Sequence, residues 1–179
     1  MERWSVRVAS LVAIVIVLAT DVLYVVLIRS QGGAQPEVYL PFFVGGYLAL
    51  MAALIALALI PRPGVARVRP ALRIAAITGL VVLGFLASFS IGVPILIAGL
   101  LVVVALVRSA APVSGTRFAF VSGVAAGSVA LLVLIAGFEV TDHLIVCPET
   151  GTAGGSGRGI VTGPYHYECN EGQLTYHSG

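Results

Sequence analysis

The chain has 179 residues, of which 59% are hydrophobic and only 10% are charged, and its mean hydropathy is +1.05. A soluble domain of this size needs more polar surface, so the composition excludes a water-soluble globular protein and predicts an integral membrane protein. The net charge is +2, but the ten basic residues are all arginine and are scattered between apolar runs, which argues against nucleic-acid binding.

The N-terminal segment combines a basic start with an apolar run, a pattern that is also typical of a signal peptide. The apolar residues continue well past the small residues Ala19 and Thr20, where cleavage would be expected. We therefore predict a retained first helix over residues 8–28. A polar turn with glycine and proline follows, and the second predicted helix covers residues 39–60 and ends before Pro61.

The central apolar stretch determines how often the chain crosses the membrane. The 34 residues from Ile74 to Val107 contain no charged residue, His, Asn or Gln. As one helix they would be about 51 Å long, against a hydrocarbon thickness of roughly 30 Å. Gly92 and Pro94 favour a break near the middle. We predict two helices, over residues 71–89 and 93–107, although the shorter one is also compatible with a re-entrant hairpin.

A fifth helix is predicted over residues 118–138, and the arginines test this count. Arginine-rich short loops lie in the cytoplasm. With five helices, eight of the ten arginines fall on one side of the membrane, and only Arg29 and Arg158 fall on the other. The eight on the first side are Arg3, Arg7, Arg62, Arg67, Arg69, Arg73, Arg108 and Arg117. We expect a multi-pass plasma-membrane protein, bacterial in origin, with its N terminus in the cytoplasm and its C terminus outside.

The predicted domains are a transmembrane bundle over residues 1–138 and an extracytoplasmic tail over residues 139–179. The tail contains the two cysteines, Cys147 and Cys169, on the oxidising side where disulfides persist. A bond between them predicts a small closed hairpin. Its strands would be the β-type segments at residues 144–146 and 165–167, and the glycine-rich segment between them is expected to be a flexible loop.

The same tail suggests an alternative chemistry, a metal or redox site. His143 and Cys147 form one local pair and His166 and Cys169 form another, so four candidate ligands for zinc or copper are present. His177 lies outside these pairs. No C-x-x-C motif accompanies them, so the disulfide is the preferred interpretation, with no metal ion and no cofactor.

Two features of the predicted helices could carry function. Asp21 lies within the first helix, where an ionisable group is costly, and Tyr24 shares its face. Asp21 could serve as a proton or cation site, or it could hydrogen-bond to Tyr24 and other hydroxyl groups. In the fifth helix, Gly123 and Gly127 form a small-residue face for close helix packing, either within the bundle or between chains.

The sequence contains no recognisable arrangement of catalytic residues, and we expect that the protein is not an enzyme. The leading prediction is a non-catalytic membrane protein that lies in the lipid bilayer. It would act as an accessory subunit of a membrane complex, or as an envelope protein presenting its tail to a protein partner or to another copy of itself. The alternatives are a small proton- or cation-coupled transporter that uses Asp21, and metal or redox binding by the exported tail.

Overall fold

The structure is a computed structural model that describes residues 4–30, 39–109 and 116–178. Within these ranges the chain forms five helices followed by a small antiparallel sheet. The helices are α1 (Trp4–Ser30), α2 (Tyr39–Leu59), α3 (Pro63–Leu86), α4 (Gly92–Ser109) and α5 (Thr116–His143). The strands are β1 (Thr152–Gly159), β2 (Gly163–Asn170) and β3 (Gln173–Ser178).

Consecutive helices run antiparallel, so the bundle has two distinct ends. A residue late in α1, Asp21, faces Gly45 near the start of α2, and Arg73 near the middle of α3 contacts Ser109 at the end of α4. Helix α3 packs against α2, α4 and α5, while α1 packs against α2 and α4. The end of the bundle at which α1, α3 and α5 terminate is called the sheet end. The opposite end is called the arginine end.

The interior of the bundle is mostly apolar, and so is its outer surface. The fully buried core includes Leu48, Ile55, Leu80, Ile95 and Val102. Valine and leucine side chains also project outward along the helices, in a pattern that suits contact with lipid rather than water. All five helices are long and apolar enough to cross a membrane. The prediction of five such helices is confirmed, and the central apolar stretch forms two of them, separated by turns at residues 87–91.

The helix boundaries differ from the prediction, most clearly at α3 and α5. Helix α3 begins at Pro63 instead of residue 71, because proline suits the first turn of a helix and the residue before it is extended. Its predicted end at residue 89 is also wrong, since the helix stops at Leu86. Helix α5 continues to His143, five residues beyond the predicted end, and carries the sheet on this extension.

The tail is a three-stranded antiparallel sheet in the order β1-β2-β3, and not the predicted two-stranded hairpin. The predicted disulfide between Cys147 and Cys169 is present. Residues 144–148 lie outside the strands, and the glycine-rich segment that was expected to be a flexible loop forms β1 instead. The prediction failed because glycine weakens an isolated strand, whereas here a neighbouring strand stabilises it.

Tyrosine rings on β2 explain why β1 is rich in glycine. Gly155 lies opposite Tyr167 in the sheet, and Gly157 lies opposite Tyr165. A Cβ atom at Gly155 would lie 2.6 Å from the Tyr167 hydroxyl, and one at Gly157 would overlap the Tyr165 ring. The rings therefore occupy the space that side chains on β1 would need, and they cover the strand on its buried face.

The sheet is fastened to the end of α5 by polar and aromatic contacts. The Glu139 carboxylate accepts hydrogen bonds from the Val161 amide and from the Thr162 hydroxyl, at 3.0 Å for the latter. The ring of His143 packs against Tyr165 and Tyr176, with centroid distances of 6.2 and 5.6 Å. These contacts hold the turn between β1 and β2 against the bundle.

Candidate functional site

A cavity of about 300 Å³ lies at the sheet end, between the helices and the sheet. Its apolar walls come from α2, α3 and α5 and include Val44, Leu83 and Phe138. Ile160, in the turn directly after β1, covers it from the sheet side. The volume is at the lower end of the range for small-molecule sites in proteins.

Four polar residues also line this cavity: Tyr24, Ser90, Asp142 and Arg158. Asp142 lies in the last turn of α5, and Arg158 lies near the end of β1, so the extension of α5 and the sheet bring the two charges together at one cavity. The Ser90 hydroxyl donates to the carbonyl oxygen of Ala87, at 3.3 Å. One carboxyl, one guanidinium and one phenol beside apolar walls could hold a small amphipathic molecule.

Asp21 lies one helical turn deeper in the bundle than Tyr24. Its Oδ1 atom is buried and has no hydrogen-bond partner among the residues that the structure describes. This atom faces α2, because a Cβ atom added at Gly45 would lie 2.9 Å from it. Tyr24 lines the cavity without bonding to this oxygen, and Asp21 is not among the residues that line the cavity.

The small-residue face of α5 packs within the chain. A Cβ atom at Gly123 would overlap the end of the Ile74 side chain, and one at Gly127 would lie 2.9 Å from the Thr78 hydroxyl. Both contacts are with α3. The structure therefore places Gly123 and Gly127 at a helix contact inside the bundle.

Arg73 is a buried polar residue whose burial the sequence did not indicate. It was assigned to the margin of a loop, but it lies well inside α3 and its side chain is only 1% exposed. Its guanidinium donates to the Ser109 hydroxyl at 2.6 Å, and that hydroxyl donates to the Leu106 carbonyl at 2.9 Å. Arg73 thus joins α3 to the end of α4. The available signal was Pro63, which marks an earlier helix start and places Arg73 on the helix.

The four candidate metal ligands of the tail are not brought together. Cys147 and Cys169 are bonded to each other, so their sulfurs are not available as ligands. His143 packs on the buried side of the sheet, whereas His166 is exposed on the opposite side. Within residues 4–30, 39–109 and 116–178, no three or more His, Cys, Asp or Glu side chains are grouped so as to hold a metal ion.

A second cavity, of about 410 Å³, lies between α2, α3 and α5 and is lined by apolar residues together with Tyr47. Met51, Leu72 and Val129 contribute to its walls. The Tyr47 hydroxyl donates to the carbonyl oxygen of Ala130 at 3.0 Å and so ties α2 to α5 beside it. Such a lining suits hydrocarbon and offers little to a polar ligand.

These features define a class of protein: five apolar helices of membrane-spanning length that carry a small disulfide-bonded sheet. The architecture is mostly helical, with a small three-stranded antiparallel sheet at the C-terminal end, and is compatible with an all-α membrane protein. The chain matches no protein family, no curated protein and no solved structure.

Proposed function

We propose that this chain is a non-catalytic integral protein of a bacterial plasma membrane, which presents its C-terminal sheet to a protein partner. It would act as an accessory subunit of a membrane complex or as an envelope protein. The observation that carries this proposal is that the sheet is attached to the bundle and yet exposes one of its strands. It is closed by a disulfide and fastened to α5, yet the residues of β3 from Gln173 to His177 are all exposed.

The proposed orientation of the chain is supported by its arginines. Among arginines with described side chains, six belong to the arginine end and only Arg29 and Arg158 to the sheet end. The positive-inside rule then favours a cytoplasmic arginine end and an extracytoplasmic sheet. The disulfide agrees with this orientation, because disulfides persist on the oxidising side of the membrane.

The exposed edge of the sheet suggests how a partner would bind. In the described residues β3 pairs with β2 alone, so the backbone amides and carbonyls on its other edge have no strand beside them. Such an edge can accept a strand from another protein. A sheet held rigidly on the bundle loses little entropy when it binds, which favours recognition.

Site-specific photo-cross-linking in native membranes tests this proposal. A photoreactive residue replaces Thr175 on β3 in one variant and Val15, on the outer face of α1, in a control. We expect a discrete protein adduct from position 175 and none from position 15, which faces lipid. Without cross-linking, the same partner should co-migrate with the protein after gentle solubilisation. A position-175 variant that keeps its disulfide but gives no adduct would contradict the proposal.

A second candidate function is proton- or cation-coupled transport, favoured by the position of Asp21. A carboxyl oxygen buried in an apolar bundle without a hydrogen-bond partner in the described residues is costly, which is typical of functional groups in membranes. The test is flux into proteoliposomes, where Asp21→Asn should abolish transport without reducing the amount of folded protein. An equal flux in the variant would rule this function out. The metal or redox alternative built on the cysteines has less support, because they are bonded to each other.

A further inference from the structure

The register of the sheet places two histidines side by side on its outer face. His166 of β2 lies directly opposite His177 of β3. Residues directly opposite in an antiparallel pair point to the same side, with Cβ atoms about 4.5–5.5 Å apart. Along β2, Tyr165 and Tyr167 are buried while His166 between them is exposed, so the histidine pair faces away from the bundle.

Both histidine side chains are exposed. Neither ring has a hydrogen bond, an ion pair or an aromatic contact within the part of the chain that the structure describes. His143 differs in this respect, because its ring is packed between tyrosines on the buried side. The ring nitrogens of the two exposed histidines are therefore available to an external ligand.

We propose that His166 and His177 together bind one transition-metal ion, such as Cu²⁺ or Zn²⁺, on the outer face of the sheet. Imidazole nitrogen is a preferred ligand of both ions. Zinc–nitrogen bonds are about 2.0–2.1 Å long, so two nitrogens on one ion lie about 3 Å apart. Rings on directly opposite strand positions reach this separation by rotation of their side chains.

Two protein ligands define an exchangeable site and not a structural one. Structural zinc sites use four protein ligands, whereas here the remaining positions would be taken by water. Glu168 lies two residues from His166 on the same face of β2 and adds negative charge nearby. The cysteines take no part, because they form the disulfide. This inference is independent of the proposed partner binding.

Metal titration of the full chain tests the site. Untagged protein in detergent is titrated with Cu²⁺ by calorimetry, and bound metal is counted after equilibrium dialysis. We expect one Cu²⁺ per chain and a loss of affinity on the order of tenfold or more in His166→Ala and in His177→Ala. His143→Ala is the matched control and should bind as the wild type does. Electron paramagnetic resonance of bound Cu²⁺ should show two nitrogen ligands.

The contrary outcomes are equally specific. Wild-type protein that binds no Cu²⁺ overturns the proposal. So does a double His166→Ala/His177→Ala variant with wild-type affinity, because the metal would then lie elsewhere. Both side chains are exposed, so the variants should fold, and an intact disulfide confirms this by mass spectrometry.

Discussion

Removal of the disulfide between Cys147 and Cys169 is expected to loosen the sheet while the helices stay folded. The two cysteines are 22 residues apart, so the bond closes a loop of 23 residues counted inclusively. Loop-closure entropy for that length corresponds to about 3 kcal/mol. This is large for a sheet whose buried core consists of Tyr165, Tyr167 and Cys169. A change of 3 kcal/mol is on the order of a hundredfold in the opening equilibrium.

Hydrogen exchange measured by mass spectrometry gives the local readout that this prediction needs. The double variant Cys147→Ala/Cys169→Ala is compared with the wild type in the same detergent. Amides of β2 should exchange on the order of a hundredfold faster, and amides of α3 should be unchanged. Unchanged protection in β2 would refute the reasoning. An equal loss in α3 would show instead that sheet and bundle unfold as one unit.

Three further substitutions test the packing. Gly157→Ala should destabilise the sheet by about 1–3 kcal/mol, because the new methyl group would overlap the Tyr165 ring. The control Ser156→Ala lies on the exposed face and should leave hydrogen exchange in the sheet unchanged. Gly79→Ala should lower the thermal unfolding midpoint of the bundle, because the new methyl group would overlap side chains of α2. In the control Gly46→Ala the methyl group projects into open space, so this variant should raise the midpoint slightly. Glu139→Ala should speed amide exchange in the turn between β1 and β2, because two hydrogen bonds are lost, with no change in α3.

The cavity at the sheet end shows why candidate residues could not be grouped from the sequence. Tyr24, Asp142 and Arg158 are far apart in the chain and meet only because the sheet folds back onto the bundle. The prediction ended the fifth helix at residue 138, so Asp142 was assigned to the tail. The extension of α5 is what places this carboxyl at the cavity.

Arg73 illustrates a different limit. A local reading assigns an arginine beside an apolar stretch to a membrane-flanking loop, since charge is costly inside a membrane. The structure buries this side chain by giving it the Ser109 hydroxyl at the end of another helix. That partner is 36 residues away in the sequence, and no local pattern identifies it.

Three features could be predicted from the residues alone: the number of apolar helices, the break in the central stretch and the pairing of the two cysteines. These features depend on local hydrophobicity, on helix length and on the small number of cysteines, all of which can be counted along the chain. The folded chain was needed to show that the glycine-rich segment is a strand and that His166 lies opposite His177. Strand formation there depends on tyrosine rings from the neighbouring strand, and histidine pairing depends on register, so both require contacts between distant residues.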